Sequence, residues 1–453
     1  MNNRRRQSRN LVSSSYDQAS AQAGEVSRLT DHLFRHEASK LVSVLTGIFG
    51  VDHLELAEDV VQEALVRAFQ TWPYYGIPKN PAAWLTQTAR NLALDVIRRE
   101  NRFRHKQPEI IASFEQWSSE SEESPTFESE IRDGRLRLMF ACCHPSVPPE
   151  AQIALALKTL CGFSPAEIAK AFLTTEAAIA KRLTRARQRI RELNIPFEIP
   201  AGEELSSRLD TVLQTAYLLF NEGYKASSGE NLIREELCTE AIRLATLLAE
   251  HPAGNTPRTH ALIALMLLNA SRLPARQDTD GNILRLKDQD RSRWNQRMIT
   301  QGMLHLAQCS SGNELTEYHL QAGIAACHCS APDYESTNWP QILGLYDRLI
   351  QIDASPVVAL NRAVAIANVR GPGAGIEALE SIQNRQSLDS YHLFYAVLAE
   401  FEAQLNQFQA AARNLRKAIK LTDLKSEQDL LRKRLLDCES PLAGASERVD
   451  QAN

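Results

Sequence analysis

The 453-residue sequence predicts an all-α protein, on three observations. Apolar residues recur at spacings of three and four along most of the chain, the period of a helix buried on one side. Alternating runs of the β type are scarce. Proline and glycine gather between the periodic segments, where they end one helix and let the next begin. The length suits about three domains, each with its own core. A formal net charge of −4 excludes wholesale basicity, so any nucleic-acid surface must be local. Eight cysteines without regular spacing predict reduced thiols and a cytoplasmic setting. The start, MNNRRRQSRNLVSSSYDQAS, carries charge but no apolar stretch, so it does not read as a signal peptide. No uncharged apolar run reaches ~18 residues, which argues against a membrane span.

In chain order, residues 1–21 predict a disordered basic tail with non-specific attraction for nucleic acid. Residues 22–106 form a first helical unit. In AEDVVQEALVRAFQTW (57–72), Val60, Val61, Ala64, Leu65 and Ala68 share one face, and Glu58, Asp59, Gln62, Glu63 and Arg67 the other. A second helix, PAAWLTQTARNLALDVIRRENRFRHK (81–106), starts with proline and has Trp84, Leu85, Thr88, Leu92 and Val96 as its buried stripe. It ends in Arg98, Arg99, Arg102, Arg104 and Lys106. Between the two, Trp72, Tyr74, Tyr75, Lys79 and Asn80 read as an aromatic and polar loop. Aromatics beside cations suit unpaired bases, since each base offers a π face and each phosphate a charge. Aromatics in a loop more commonly pack against protein, and that bland reading stands beside the first.

Residues 107–130, QPEIIASFEQWSSESEESPTFESE, have the acidic, serine-rich composition of a linker. A helix-turn-helix unit is predicted over 131–195. In FSPAEIAKAFLTTEAAIAKRLTRARQRIR (163–191), Ser164, Pro165 and Glu167 make a capping box with proline at the first helical position. Thr175 caps a second helix, whose core stripe is Ile179, Leu183, Ala186 and Ile190. Lys181, Arg182, Arg185, Arg187, Arg189 and Arg191 take the remaining surface. A short scaffold helix followed by a basic helix is how such a motif presents side chains to a major groove. A solvated basic helix in a bundle is the competing explanation.

After a break at Asn194-Ile195-Pro196 to Gly202, residues 205–440 predict a helical-repeat region. Its clearest hairpin is FYAVLAEFEAQLNQFQAAARNLRKAIKLTD, ending at Asp423, where Ala399, Ala411, Leu415 and Ala418 let two helices cross closely. Upstream, Asp353-Ala354-Ser355-Pro356 punctuates the turn inside WPQILGLYDRLIQIDASPVVALNRAVAIANV. Stacked hairpins of this kind form concave protein-binding surfaces or purely structural solenoids.

The motifs AEDVVQEALVRAFQTW, AWLTQTARNLALDVIRRENR and EIAKAFLTTEAAIAKRLTRARQRIR together resemble the extracytoplasmic-function (ECF) sigma factors of bacterial RNA polymerase. The first two match region 2 and the last region 4. The C-terminal extension, with CCHP, NEGYKASSG and LKDQDRSRW, resembles the subgroup carrying a fused tetratricopeptide-like domain. The resemblance implies a non-enzymatic initiation factor without cofactor or metal. Its partners would be core RNA polymerase and promoter DNA, with a protein partner on the repeat domain, which would regulate activity in cis. Carried over position by position, Asp59, Gln62 and Glu63 meet core polymerase. The loop with Trp72, Tyr74, Tyr75, Lys79 and Asn80, together with Asn91, captures a flipped base of the −10 element, and Arg98, Arg99 and Arg102 hold phosphates. Lys181, Arg182 and Arg185 face the −35 element, with Arg187 and Arg189 on its backbone. The chain departs from the family at Leu173 and Thr174, where the turn often carries glycine, and at Ala178 and Ala180, where longer polar side chains commonly reach DNA.

Cys142-Cys143-His144 and Cys327-His328-Cys329 invite a metal-site reading, but adjacent residues rarely point to one centre, so buried thiols and packing histidines are expected. Asp288-Gln289-Asp290-Arg291 with Trp294 is expected to knit helices, and Asn221 to Gly229 to contain a loop. Two rival functions remain: a helix-turn-helix regulator with a repeat sensor domain, and a repeat scaffold that binds no DNA. The first leaves the region-2-like helices unexplained.

Overall fold

The computed structural model describes residues 37–99, 125–171, 174–200, 202–225, 233–279, 281–311 and 314–450. The basic tail, Arg102, Arg104, Lys106, Leu173, most of the acidic linker and the Glu167 side chain of the capping box lie outside them. Among the described residues every regular element is helical, and the one β-type feature is an isolated bridge between Gln277 and Ile283. No helix among them is long and apolar enough to cross a membrane. The chain divides into two compact units, Met1–Thr215 and Ala216–Asn453.

The first unit contains α1 (37–49), α2 (Leu54–Tyr75), α3 (Pro81–Arg99), α4 (Pro125–Cys142), α5 (Pro149–Cys161), α6 (Pro165–Ala171), α7 (Glu176–Glu192) and the start of α8 (Glu203–Tyr224). On α2, Val60, Val61, Ala64 and Ala68 are buried, as their spacing predicts. On α3 the buried stripe is Leu85, Ala89, Leu92, Ala93 and Ile97, rotated from the expected one, and Val96 lies at its margin. Alanines 89 and 93 let α2 and α3 approach; large residues alone do not mark such a face. The tail of the acidic linker is helical, since α4 begins at Pro125. Gly134 on α4 lies against Ser43 of α1, and Arg135 Nη2 donates to Ser39 Oγ at 3.0 Å.

The Cys-Cys-His segment ends α4. Cys142 and Cys143 are fully buried, and the Cys143 thiol donates to Thr215 Oγ1 at 3.6 Å. Burial pushes the Cys143 thiol up to about 11. His144 Nδ1 accepts from the Ser146 amide at 3.1 Å, and its carbonyl accepts from Gln152 Nε2 at 2.9 Å. Arg208 of α8 is 1% exposed and closes the same region. Its guanidinium donates to the Phe140 carbonyl and to Glu204 Oε1 at 3.0 Å, and lies 5.8 Å from the Phe140 ring centre. Phe140 in α4's last turn and Cys143 just after it thus receive partners from α8.

The second unit continues with α9 (Glu235–Ala249), α10 (Pro257–Ala270), α11 (Gln296–Cys309), α12 (Glu317–Ser330), α13 (Trp339–Ile352), α14 (Pro356–Arg370), α15 (Pro372–Glu380), α16 (His392–Gln404), α17 (Phe408–Lys420) and α18 (Lys425–Asp450). Most helices pack chiefly on their neighbours in sequence, the pattern of stacked hairpins, while α12 packs more on α10 than on α11. Ser355 caps α14, accepting from the Val358 amide at 3.3 Å, where the turn was expected. Ala399, Ala411, Leu415 and Ala418 all lie in the core between α16 and α17. Gly223 and Tyr224, expected in a loop, occupy the last turn of α8. A Cβ on Gly223 would come within 2.7 Å of the Cys238 amide nitrogen, so glycine is what lets α9 approach. Arg291 has a structural role: it donates to the His328 and Ala331 carbonyls at 2.7 and 2.8 Å and to Thr337 Oγ1 at 3.0 Å. Trp294 stands 5.0 Å from its guanidinium. Burial, helped by Arg272 and Arg291, lowers His328 to about 3, so it packs as a neutral ring against Trp339.

Candidate nucleic-acid interface

Helix α7 is built as its sequence predicts. Thr175 is extended, and its hydroxyl accepts from the Ala178 amide at 3.2 Å. Ile179, Leu183, Ala186 and Ile190 are all buried. The basic side chains then divide between two flanks. Lys181, Arg185 and Arg189, at i, i+4 and i+8, are exposed on one face. Arg182, beside them, is half-buried and pairs with Glu150 at 3.1 Å. On the opposite flank Arg187 is largely buried and donates to Glu58 Oε2. Arg191 lies near Glu55 (3.8 Å) and the Asp52 carbonyl (3.4 Å). Glu58 also accepts from Thr159 at 2.6 Å, so one buried carboxylate joins α2, α5 and α7. The sequence pattern places Glu58 on a polar face, and the resemblance implies Arg187 on DNA phosphate. In this arrangement Arg187 is turned inward and its charge is already matched. Nothing in the local spacing signals a pair 129 positions apart.

Asp59, Gln62 and Glu63 are exposed along α2, with Glu63 holding Arg67 at 3.1 Å. Partial burial and the neighbouring Glu55 raise the Asp59 carboxyl, opposed by Arg187 and Lys158. This acidic and amide strip is free to meet a basic surface.

The aromatic segment departs from expectation: Trp72, Tyr74 and Tyr75 are helical, and of these Trp72 is buried. Helix α2 runs through Pro73 to Tyr75 instead of ending at Trp72. Trp72 is therefore helical, 3% exposed, and packs edge-on against Trp84 with ring centres 5.6 Å apart. A base cannot stack on it there. Pro73 cannot donate to the carbonyl four residues back, and the helix continues only two residues beyond it. Gly76, at φ +82°, then stops the helix while its amide donates to the Trp72 carbonyl. Tyr74 and Tyr75 project into solvent, 85% and 89% exposed. Lys79 and Asn80 are exposed too, and Asn80 Oδ1 caps α3 by accepting from the Ala83 amide at 3.1 Å. Asn91 is exposed on α3 and accepts from Gln87 at 3.1 Å; Arg98 and Arg99 are exposed at its end. Two free tyrosines, a lysine and terminal arginines thus lie on α2, α3 and their connection, a set suited to a splayed nucleotide and its phosphates.

Comparison with known proteins agrees with this construction. Residues 33–103 match sigma-70 region 2, and residues 137–190 match sigma-70 region 4. Residues 208–310 match a family of unknown function, DUF6596. The two sigma regions, in that order, define the class as a sigma-70-type factor. An uncharacterized protein of Rhizobium meliloti is 39% identical over 385 residues, spanning 84% of this chain and 90% of its own length. The ECF RNA polymerase sigma factor SigL of Mycobacterium tuberculosis is 32% identical over 136 residues, 30% of this chain and 72% of SigL. The ECF RNA polymerase sigma factor SigE of Mycolicibacterium smegmatis is 30% identical over 162 residues, 36% of this chain and 60% of SigE. No solved structure matches. The chain belongs to the ECF RNA polymerase sigma factor family.

Proposed function

We propose that this chain is a promoter-specificity subunit that joins core RNA polymerase, contacts the −35 and −10 elements and helps open the duplex, under control of its own helical C-terminal unit. The reading makes it a cytoplasmic protein that catalyses no reaction itself. The observation that carries it is the coexistence, in one unit, of an exposed cationic face on a helix-turn-helix and an exposed tyrosine pair at the end of a region 2 helix. Lys181 and Arg185 read base edges, Arg189 and the half-buried Arg182 add charge, and Arg187 becomes available to phosphate only if its pair with Glu58 opens. Asp59, Gln62 and Glu63 dock on the polymerase. Tyr74, Tyr75, Lys79, Asn80 and Asn91 receive the unpaired base, with Arg98 and Arg99 on its phosphates. The C-terminal hairpins resemble tetratricopeptide repeats in pattern, which suits a regulatory protein partner. Run-off transcription with purified core polymerase on candidate promoters tests the reading. Initiation that depends on this chain supports it. Duplex binding without polymerase association would instead identify a conventional regulator.

A further inference from the structure

We propose that the second unit is also a receptor for a small organic anion with an apolar body, bound in a cavity of about 560 Å³. This volume falls within the range of small-molecule sites. The walls come from α13, α14, α16, α18 and the segment around Leu286, and every lining residue belongs to the second unit. Trp339, Val364, Val397, Phe401 and Leu431 supply an apolar floor.

The charges around it specify the ligand's sign. Five cations line the cavity against three carboxylates. Glu400 accepts from Arg285 at 3.0 Å and Arg434 at 2.8 Å, and also from Lys287. Arg285 is held further by Asp288, outside the lining. Glu427 takes Lys225 at 2.9 Å and His392 at 3.0 Å. Arg276 is different. It is nine-tenths buried, and among the described residues no carboxylate pairs with it. One guanidinium nitrogen donates to the Tyr224 carbonyl, and the group lies 4.0 Å from the Tyr224 ring centre. A buried guanidinium with five donors, pinned at one nitrogen and facing a cavity, favours an anion that can accept from the others. Neutral ligands leave that charge unmatched, and cationic ones oppose it.

The inference does not depend on the sigma-factor reading, and binding to the full-length chain tests it directly. The probe is 1-anilinonaphthalene-8-sulfonate, a fluorescent anion with an apolar body, competed with decanoate, decanol or decylammonium. Saturable binding to one site, displaced by decanoate and much less by the other two, is expected. Arg276→Gln should weaken probe binding at least about tenfold, the loss of a charge-assisted contact. Because Arg276 also holds the Tyr224 carbonyl, a second variant, Val397→Trp, fills the cavity without changing charge and should abolish binding. Displacement by decylammonium as effective as by decanoate overturns the proposal. So does probe affinity unchanged in Val397→Trp.

Discussion

Trp72 and Tyr74 stand two positions apart and meet opposite environments, so the same substitution should act on different quantities. Tyr74→Ala and Tyr75→Ala remove rings that touch solvent alone, and the melting temperature should hold. If these rings stack on an unpaired base, each is worth about 1–3 kcal/mol, and promoter opening read by permanganate reactivity should fall by roughly 5- to 100-fold. Trp72→Ala instead empties core volume against Trp84 and should cost about 3–5 kcal/mol of stability. Equal loss of stability in all three variants would break the distinction. The aromatics were visible in the sequence, but the split between them was not. It depends on α2 continuing past Pro73 to Gly76, and proline near a helix end leaves both outcomes open.

At the scale of elements, α7 carries two kinds of arginine. Its cap and core stripe were legible because both are local and periodic. Which flank is left exposed was not, since the side facing α2 is set by contacts far away in sequence. Lys181→Ala and Arg185→Ala, on the exposed face, should weaken promoter binding by about 1–3 kcal/mol each, measured by titration at fixed salt, with stability unchanged. Arg187→Ala should destabilise the first unit, by about 3–5 kcal/mol, because it leaves the Glu58 carboxylate buried without its cation. A melting temperature as high as wild type in that variant would show the pair to be inconsequential. Helix α18 makes a comparable junction through Glu427. Burial alone would raise this carboxyl, but the bond from His392, the charge of Lys225 and the Thr422 hydroxyl hold it at about 2, against an ordinary value of 4.5. The unfolded chain therefore binds its proton more tightly, so this stabilisation is whole above about pH 4.5 and drains away as pH falls toward 2. Glu427→Gln should lower unfolding free energy at neutral pH by at most about 3 kcal/mol, and the gap from wild type should narrow across that acid window. A gap independent of pH would assign the effect to packing.

On the scale of the whole molecule, the sequence suggests cutting between the sigma regions and the extension in the proline- and glycine-marked stretch from Pro196 to Gly202. The packing argues for a later cut. Leu209, Val212 and Leu213 of α8 are buried, Arg208 satisfies the Phe140 carbonyl, and Thr215 receives the Cys143 thiol, all within the first unit. Composition marks where a chain turns, whereas a unit ends where its last buried partner is supplied. Here that partner comes from the first half of a helix whose second half, with Leu219 and Phe220, belongs to the other unit. A chain ending at Pro200 should leave Phe140 and the two cysteines uncovered and melt well below one ending at Ala216. Loss of one buried charged hydrogen bond and the apolar cover around it is worth several kcal/mol. Only the longer fragment then gives a fair test of control in cis. If the helical extension regulates initiation, transcription from the fragment ending at Ala216 should differ from full length, in level or in promoter choice. Two fragments that melt together would refute the boundary, and a stable longer fragment that transcribes as the intact chain does would refute the regulation.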